Sequence, residues 1–152
     1  MRVPEFLFAV INPVMRLLLR SPLHRIFSDS IMLITFTGRK SGRQYTTPVR
    51  YLRKGDTIRC FTLKKNVWWR NLRGGALVVL RMEGRDGPFE ASVEAEDIEA
   101  IRSGLEEMFT AFPEDAVYQE VRLNKDRSPV ADDLTRAARL AVMLDLSPAE
   151  QP

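Results

Sequence analysis

The stretch IMLITFTGRKSGRQYTTPVRYLRKGDTIRCFTL, Ile31 to Leu63, decides the fold. It opens on an apolar, β-branched run, Ile31 to Thr37, which reads as a strand. Gly38-Arg39-Lys40-Ser41-Gly42-Arg43 follows as a turn with a glycine near each end. Tyr45 to Leu52 reads as the returning strand, Lys54-Gly55-Asp56 as a tight hairpin turn, and Thr57 to Leu63 as a third strand. Strands joined this closely pair antiparallel, because a parallel pair needs a crossover of about a dozen residues or more.

Working outward, Lys64 to Arg73 carries Trp68-Trp69-Arg70-Asn71-Leu72 and reads as a short helix stopped by Gly74-Gly75. Ala76 to Met82 and Phe89 to Ala95 form a further hairpin around Gly84-Arg85-Asp86-Gly87-Pro88. Glu96 to Phe112 is an amphipathic helix, because Ile98, Ile101, Leu105, Met108, Phe109 and Phe112 recur at helical spacing. Asp97 and Glu99 suit its N-terminus, and Pro113 ends it. Val117 to Leu123 suits either a strand or an extended segment. Asp132 to Arg139 reads as a short helix, Ala141 to Leu146 as a closing strand, and residues 147–152 as a loose tail.

Upstream, residues 1–28 are dense in apolar side chains and read as a helical segment interrupted at Pro13, with Ser21-Pro22 opening a second short helix. The run carries charge and is too short to span a bilayer, which takes about 20 mostly apolar residues. It also lacks the small-residue cleavage site of a secretory signal. Packing on the core is the favoured role for this stretch, with peripheral contact at a membrane surface as the functional alternative. Antiparallel sheets remove their edges by closing. We therefore expect a single α+β domain over residues 1–152: a small antiparallel barrel of six to seven strands with helices outside.

The 152 residues and 17.4 kDa suit one domain with a real core. The single cysteine, Cys60, rules out an internal disulfide framework and points to a reducing, cytoplasmic setting. The single histidine, His24, removes any site that needs two and leaves a Ser-His-Asp triad without a credible base. With no metal site expected and few nucleophiles, an enzyme of this composition would borrow a cofactor. Net charge is only +3, but it is segregated. Arg39 to Arg73 holds eleven basic residues against Asp56 alone, whereas Glu83 to Glu120 holds twelve acids against Arg85 and Arg102. Such a division builds a positive face suited to a polyanion. Nucleic acid is disfavoured, because no series of aromatic residues interleaves the basic ones.

The glycine-bounded basic turn is the sharpest candidate site. Its backbone can turn N–H groups to one side as an anion nest, Arg39 can fork to a phosphate or carboxylate, and Lys40 adds a point charge. It is neither a Walker loop nor a dinucleotide-binding turn, since a strand rather than a helix follows. In the tryptophan segment, one indole is expected in the core and the other against a planar ligand, unless both are packing residues. Asn71 shares a helical face with Trp68.

These blocks together resemble the deazaflavin-dependent nitroreductase family, also called the nitroreductase/quinone reductase family. The matching elements are the apolar strand, Thr37 to Arg43, Thr46-Thr47-Pro48, Tyr51 to Asp56, and Trp68 to Leu72. The resemblance implies a split β-barrel of the flavin-mononucleotide-binding type. It implies a deazaflavin, coenzyme F-420, as cofactor, with flavin mononucleotide as the alternative. It assigns Arg39, Lys40, Ser41, Gly42 and Lys64 to the cofactor's phosphate and acidic tail, Thr47, Pro48 and Val49 to its ring, and Trp68 and Asn71 to further contacts. Tyr118 is the candidate on the substrate side.

The expected activity is hydride transfer from the reduced deazaflavin to a quinone, nitro compound or activated enone. An apolar N-terminal segment suits a lipophilic acceptor met at the inner face of the cell membrane. The alternative is a non-catalytic module of the same fold. Only Lys65, Asn66 and Val67 separate Lys64 from Trp68, and Leu63 precedes the lysine, which suits a pocket for a fatty-acyl or flat hydrophobic ligand.

Overall fold

The computed structural model describes residues 30–149; the helices expected across residues 1–28 lie outside these. The elements run β1 (Ile31–Thr37), β2 (Gln44–Lys54), β3 (Thr57–Leu63), a short 3-10 helix (Val67–Leu72), β4 (Ala76–Met82), β5 (Arg85–Glu94), α1 (Ile98–Ala111), α2 (Pro113–Tyr118), α3 (Ala131–Leu140) and β6 (Ala141–Pro148). The six strands close a barrel in the order β1-β2-β3-β6-β5-β4. Closure leaves no edge strand, which is how a sheet this small avoids exposed backbone donors.

β1 pairs with both β2 and β4, and its register defines the two faces. Ile34 stands opposite Thr47 on β2 and Leu80 on β4. Directly opposed residues share a face, so Met32, Ile34 and Phe36 point inward with Val78 and Leu80. All five are buried. The other face of β4 is exposed, with Leu77 at 72% and Val79 at 43% of full exposure.

Two readings of the hairpins and helices are corrected. The turn between β4 and β5 is only Glu83-Gly84, with φ of 52° and 78°. Positive φ at both central residues gives a turn whose twist matches the strands, and glycine adopts it without strain. Pro88 is therefore no turn residue: it lies in β5 opposite Val79, and its carbonyl accepts the Ala149 N–H at 3.0 Å. Pro113 ends one helix and also opens the next, since a missing N–H costs nothing in a first turn. Val117 and Tyr118 thus belong to α2, and only Leu123 makes a strand-like bridge, to Pro129.

The chain divides into two compact units. The first comprises residues up to Cys60, Lys65–Val93 and residues from Leu144 onward. There Arg59 forks to Asp145, Nε to Oδ1 at 2.7 Å and a terminal nitrogen to Oδ2 at 2.9 Å, tying β3 to β6. The second comprises Phe61–Lys64 and Glu94–Met143. Its long helix α1 is capped by Asp97, whose carboxylate accepts the Ala100 N–H at 3.1 Å. The helix buries Ile101, Leu105, Met108 and Phe109, each contributing about 1.5–3 kcal/mol on leaving water.

Asp133, on α3 in the second unit, organises the segment after α2. Its Oδ2 accepts from the Arg122 backbone N–H at 3.0 Å and from Arg122 Nε at 2.8 Å. Hydrogen bonding from the Arg122 guanidinium, then from its backbone N–H, holds the carboxyl down to about 2. A carboxyl depressed in the folded state stabilises fully above its unfolded value near 4 and ceases to do so as pH falls through about 2. Urea unfolding of Asp133→Asn across that window should therefore be less pH-dependent than that of the wild type. Identical slopes would show that the Arg122 contacts do not control this carboxyl.

Candidate functional site

The basic turn joins β1 to β2 and is held by its own backbone. Gly38 N–H donates to the Arg43 carbonyl at 2.8 Å, and Gly42 N–H returns to the Gly38 carbonyl at 2.9 Å. Gly42 takes φ +70°, a left-handed conformation that suits glycine. Arg39, Lys40, Ser41 and Arg43 are all exposed. Gly38 is buried for a different reason: a Cβ there would stand 2.8 Å from both Ser41 Oγ and the Tyr45 ring. No N–H of Lys40 or Ser41 bonds to a described residue, and both residues are exposed in a turn rich in positive charge.

The short helix lies against this turn. Phe36 stacks with Trp68 at 5.5 Å between ring centroids and with Tyr45 at 5.8 Å, so three aromatic rings run from the short helix to the turn. Tyr45 then reaches Ser41, hydroxyl to hydroxyl, at 3.1 Å. Trp68 and Trp69 are both buried, and the guanidinium groups of Arg70 and Arg73 lie over the Trp69 ring at 5.7 and 5.3 Å. Asn71 bonds to Arg39 and to Trp68 and is thus brought to the turn.

The proposed ring-lining residues do not share a face. Thr47 and Val49 stand opposite Ile34 and Met32 and so face the barrel interior, whereas Pro48 stands opposite Leu33 on the outer face. That outer face carries a groove of about 250 Å³ lined by Leu33, Thr35, Gln44, Thr46, Val79, Arg81 and Asp86. Within it Thr35 and Thr46 share a hydroxyl hydrogen bond at 2.9 Å, and Arg81 pairs with Asp86 at 2.9 Å. Gln44 follows directly on Arg43, so the groove begins where the basic turn ends. Sequence reasoning missed this groove. Alternation along β1 and β2 marks its residues as one face, but the pairing of β1 with β4 joins strands about forty residues apart and leaves no local signal.

Lys64 follows directly on β3, in the second unit, where its backbone N–H donates to the Leu140 carbonyl at 2.8 Å. Tyr118 is the last residue of α2, and its side chain lies outside what the structure describes. Among the described residues no three His, Cys, Asp or Glu side chains cluster to hold a metal. Likewise, no described helix is long and apolar enough to cross a membrane. Cys60 is buried, and burial first, then the Asp145 carboxylate, push its thiol up to about 12.

The fold is shared with several solved structures. The chain is similar to a protein described as a domain-swapped dimer, at 18% identity over 90% of this chain and 96% of that one, with a TM-score of 0.54. It is similar to a candidate pyridoxamine 5'-phosphate oxidase from Listeria innocua, at 11% identity over 91% and 93% of the two chains, with a TM-score of 0.50. HutZ, a haem storage protein from Vibrio cholerae, matches at 11% identity over 87% and 92%, also with a TM-score of 0.50. Such identities speak to the fold alone, which is the split β-barrel of the flavin-binding type. No curated protein sequence matches the chain.

The sequence model of the family described as F420H(2)-dependent quinone reductase matches residues 21–127, and the chain belongs to that family. Membership of that family makes the protein an oxidoreductase.

Two outcomes follow from this geometry. Gly38→Ala must displace the Tyr45 ring or the Ser41 hydroxyl and should lower stability by about 1–3 kcal/mol in urea unfolding; an unchanged midpoint would show that the turn gives way freely. Cys60 should resist iodoacetamide at pH 8 in the folded protein and react on unfolding, because only the thiolate is nucleophilic; rapid labelling of folded protein would contradict its burial.

Proposed function

We propose that the protein transfers a hydride from reduced deazaflavin to a quinone, nitro compound or activated enone, with the tail of the cofactor on the basic turn and its ring along the outer groove. The observation that carries this reading is the turn itself. Two backbone N–H groups with no partner among the described residues sit among Arg39, Lys40 and Arg43, in a chain of this family. That donor set fits a polyanionic tail: backbone donors and ammonium or guanidinium groups make charge-assisted bonds to phosphate and carboxylate. When bound, the deazaflavin would supply the hydride, which carries both electrons; one proton from solvent then completes the reduction of a quinone to its hydroquinone.

The chain's own residues supply binding, orientation and exclusion of water. Arg39 and Lys40 neutralise the tail, and the Lys40 and Ser41 N–H groups fix its depth. Gly42 permits the reversal that leaves those donors without a partner among the described residues. Val79 and the half-buried Pro48 offer apolar surface on the outer face, against which a flat ring can lose water. Thr47 and Val49 support that surface from the interior side, and Trp68 anchors the turn through the ring stack. We place a lipophilic quinone first among acceptors, because Leu77 and Val79 expose apolar surface beside the groove.

Titration with oxidised deazaflavin, followed by tryptophan fluorescence, tests the reading. Binding should weaken as salt rises. Lys40→Ala should weaken it about tenfold, the loss of one charge-assisted bond at an exposed site. Binding of flavin mononucleotide alone would keep the enzyme class and change the hydride donor. An affinity within about threefold of wild type in the variant would remove the tail from this turn. Binding of neither would favour the fatty-acyl or flat-ligand module.

A further inference from the structure

The turn that carries the function is not self-supporting. Of its six backbone N–H groups, those of Gly38 and Gly42 are spent on carbonyls of the turn. The Arg43 N–H donates to Ser41 Oγ at 3.2 Å. The Arg39 N–H leaves the turn altogether and donates to Asn71 Oδ1 at 2.9 Å. Asn71 is 32 residues away in sequence, on the short helix, and its Nδ2 donates to the Trp68 carbonyl at 2.9 Å. Both ends of this carboxamide are therefore engaged with backbone. Only asparagine's pairing of an acceptor with a donor at this length serves both contacts, since aspartate cannot donate and alanine offers neither.

The opposite flank is gripped as well. Ser41 Oγ takes the Arg43 N–H and shares a hydrogen bond with Tyr45, whose ring stacks on Phe36. Phe36 in turn stacks on Trp68, the residue whose carbonyl Asn71 holds. The contacts close a ring: turn, Asn71, Trp68, Phe36, Tyr45 and back to the turn. Among the described residues, what this ring leaves for a ligand is the N–H pair of Lys40 and Ser41.

We infer that Asn71 is a positioning residue: it fixes the basic turn from the short helix, with Tyr45 opposite, and tunes anion binding through the turn rather than by touching the ligand. The same accounting assigns Ser41 to the ligand by its backbone N–H and to the fold by its hydroxyl. This rests on the reading that the turn holds the anionic tail of the cofactor.

The test pairs amide hydrogen exchange with a double-variant titration. In the wild type the Arg39 amide should be protected. In Asn71→Ala it should exchange at least about tenfold faster, as a lost hydrogen bond requires. Oxidised deazaflavin, read by tryptophan fluorescence, should bind Asn71→Ala about tenfold more weakly. The Asn71→Ala/Lys40→Ala double variant should lose less than the product of the single losses, because Lys40 acts fully only in a held turn. Losses that multiply would make Asn71 an independent ligand contact and overturn the inference, as would unchanged exchange at Arg39. Tyr45→Phe, which keeps the ring stack and removes only the hydroxyl, covers the case in which Asn71→Ala does not fold. It should loosen the Ser41 side and weaken binding about threefold, and wild-type affinity there would remove the opposite grip. If the wild type binds no deazaflavin, the functional reading falls, while exchange at Arg39 still decides whether Asn71 holds the turn.

Discussion

Phe36 is the last inward residue of β1, and its ring packs between Tyr45 of β2 and Trp68 of the short helix. One side of that contact sets the β1–β2 register at Phe36 opposite Tyr45. The other anchors a helix that no strand pairing reaches. Because β1 also pairs with β4, the same strand closes the barrel and carries the aromatic anchor. Stacked aromatic pairs add about 0.5–1.5 kcal/mol beyond area burial, and their directionality fixes where the connected backbone must lie.

A turn crowded with positive charge has an electrostatic reason to open. Arg39, Lys40 and Arg43 repel one another, and each is exposed. The hydrogen bonds to Asn71 and Tyr45, together with the internal bonds of the turn, oppose that tendency. The turn is thereby held in one conformation, so an anion bound there as proposed would not have to meet the cost of ordering the loop. Charge is thus concentrated by sequence and aimed by packing. Twelve of the twenty acids lie between Glu83 and Glu120, well away in sequence from the turn.

Much of this was legible in the residues. Alternation and tight turns from Ile31 to Leu63 placed three strands, and the period of Ile101, Leu105, Met108 and Phe109 placed α1 with its Asp97 cap. The blocks Thr37–Arg43 and Trp68–Leu72 carried a family resemblance that the family match bears out. The errors share a cause. Gly87-Pro88 looks like a turn because both residues disfavour strands, yet the two-residue turn at Glu83-Gly84 already closes the hairpin and draws Pro88 into the ladder. Pro113 looks like a helix end, and it also starts a helix, because the same missing N–H serves both roles.

The sequence by itself determined the strand-forming segments, the amphipathic helix, the segregation of charge and the chemistry on offer in the basic turn, since each is a property of neighbours along the chain. Only the tertiary structure decided that β1 meets β4, that Pro48 faces outward while Thr47 and Val49 face inward, and that Asn71 spends its side chain on Arg39 and Trp68. Those facts depend on barrel closure, which brings together residues tens of positions apart. Local periodicity says which face a residue takes along its own strand; what stands on that face is set by the strand that closure places beside it.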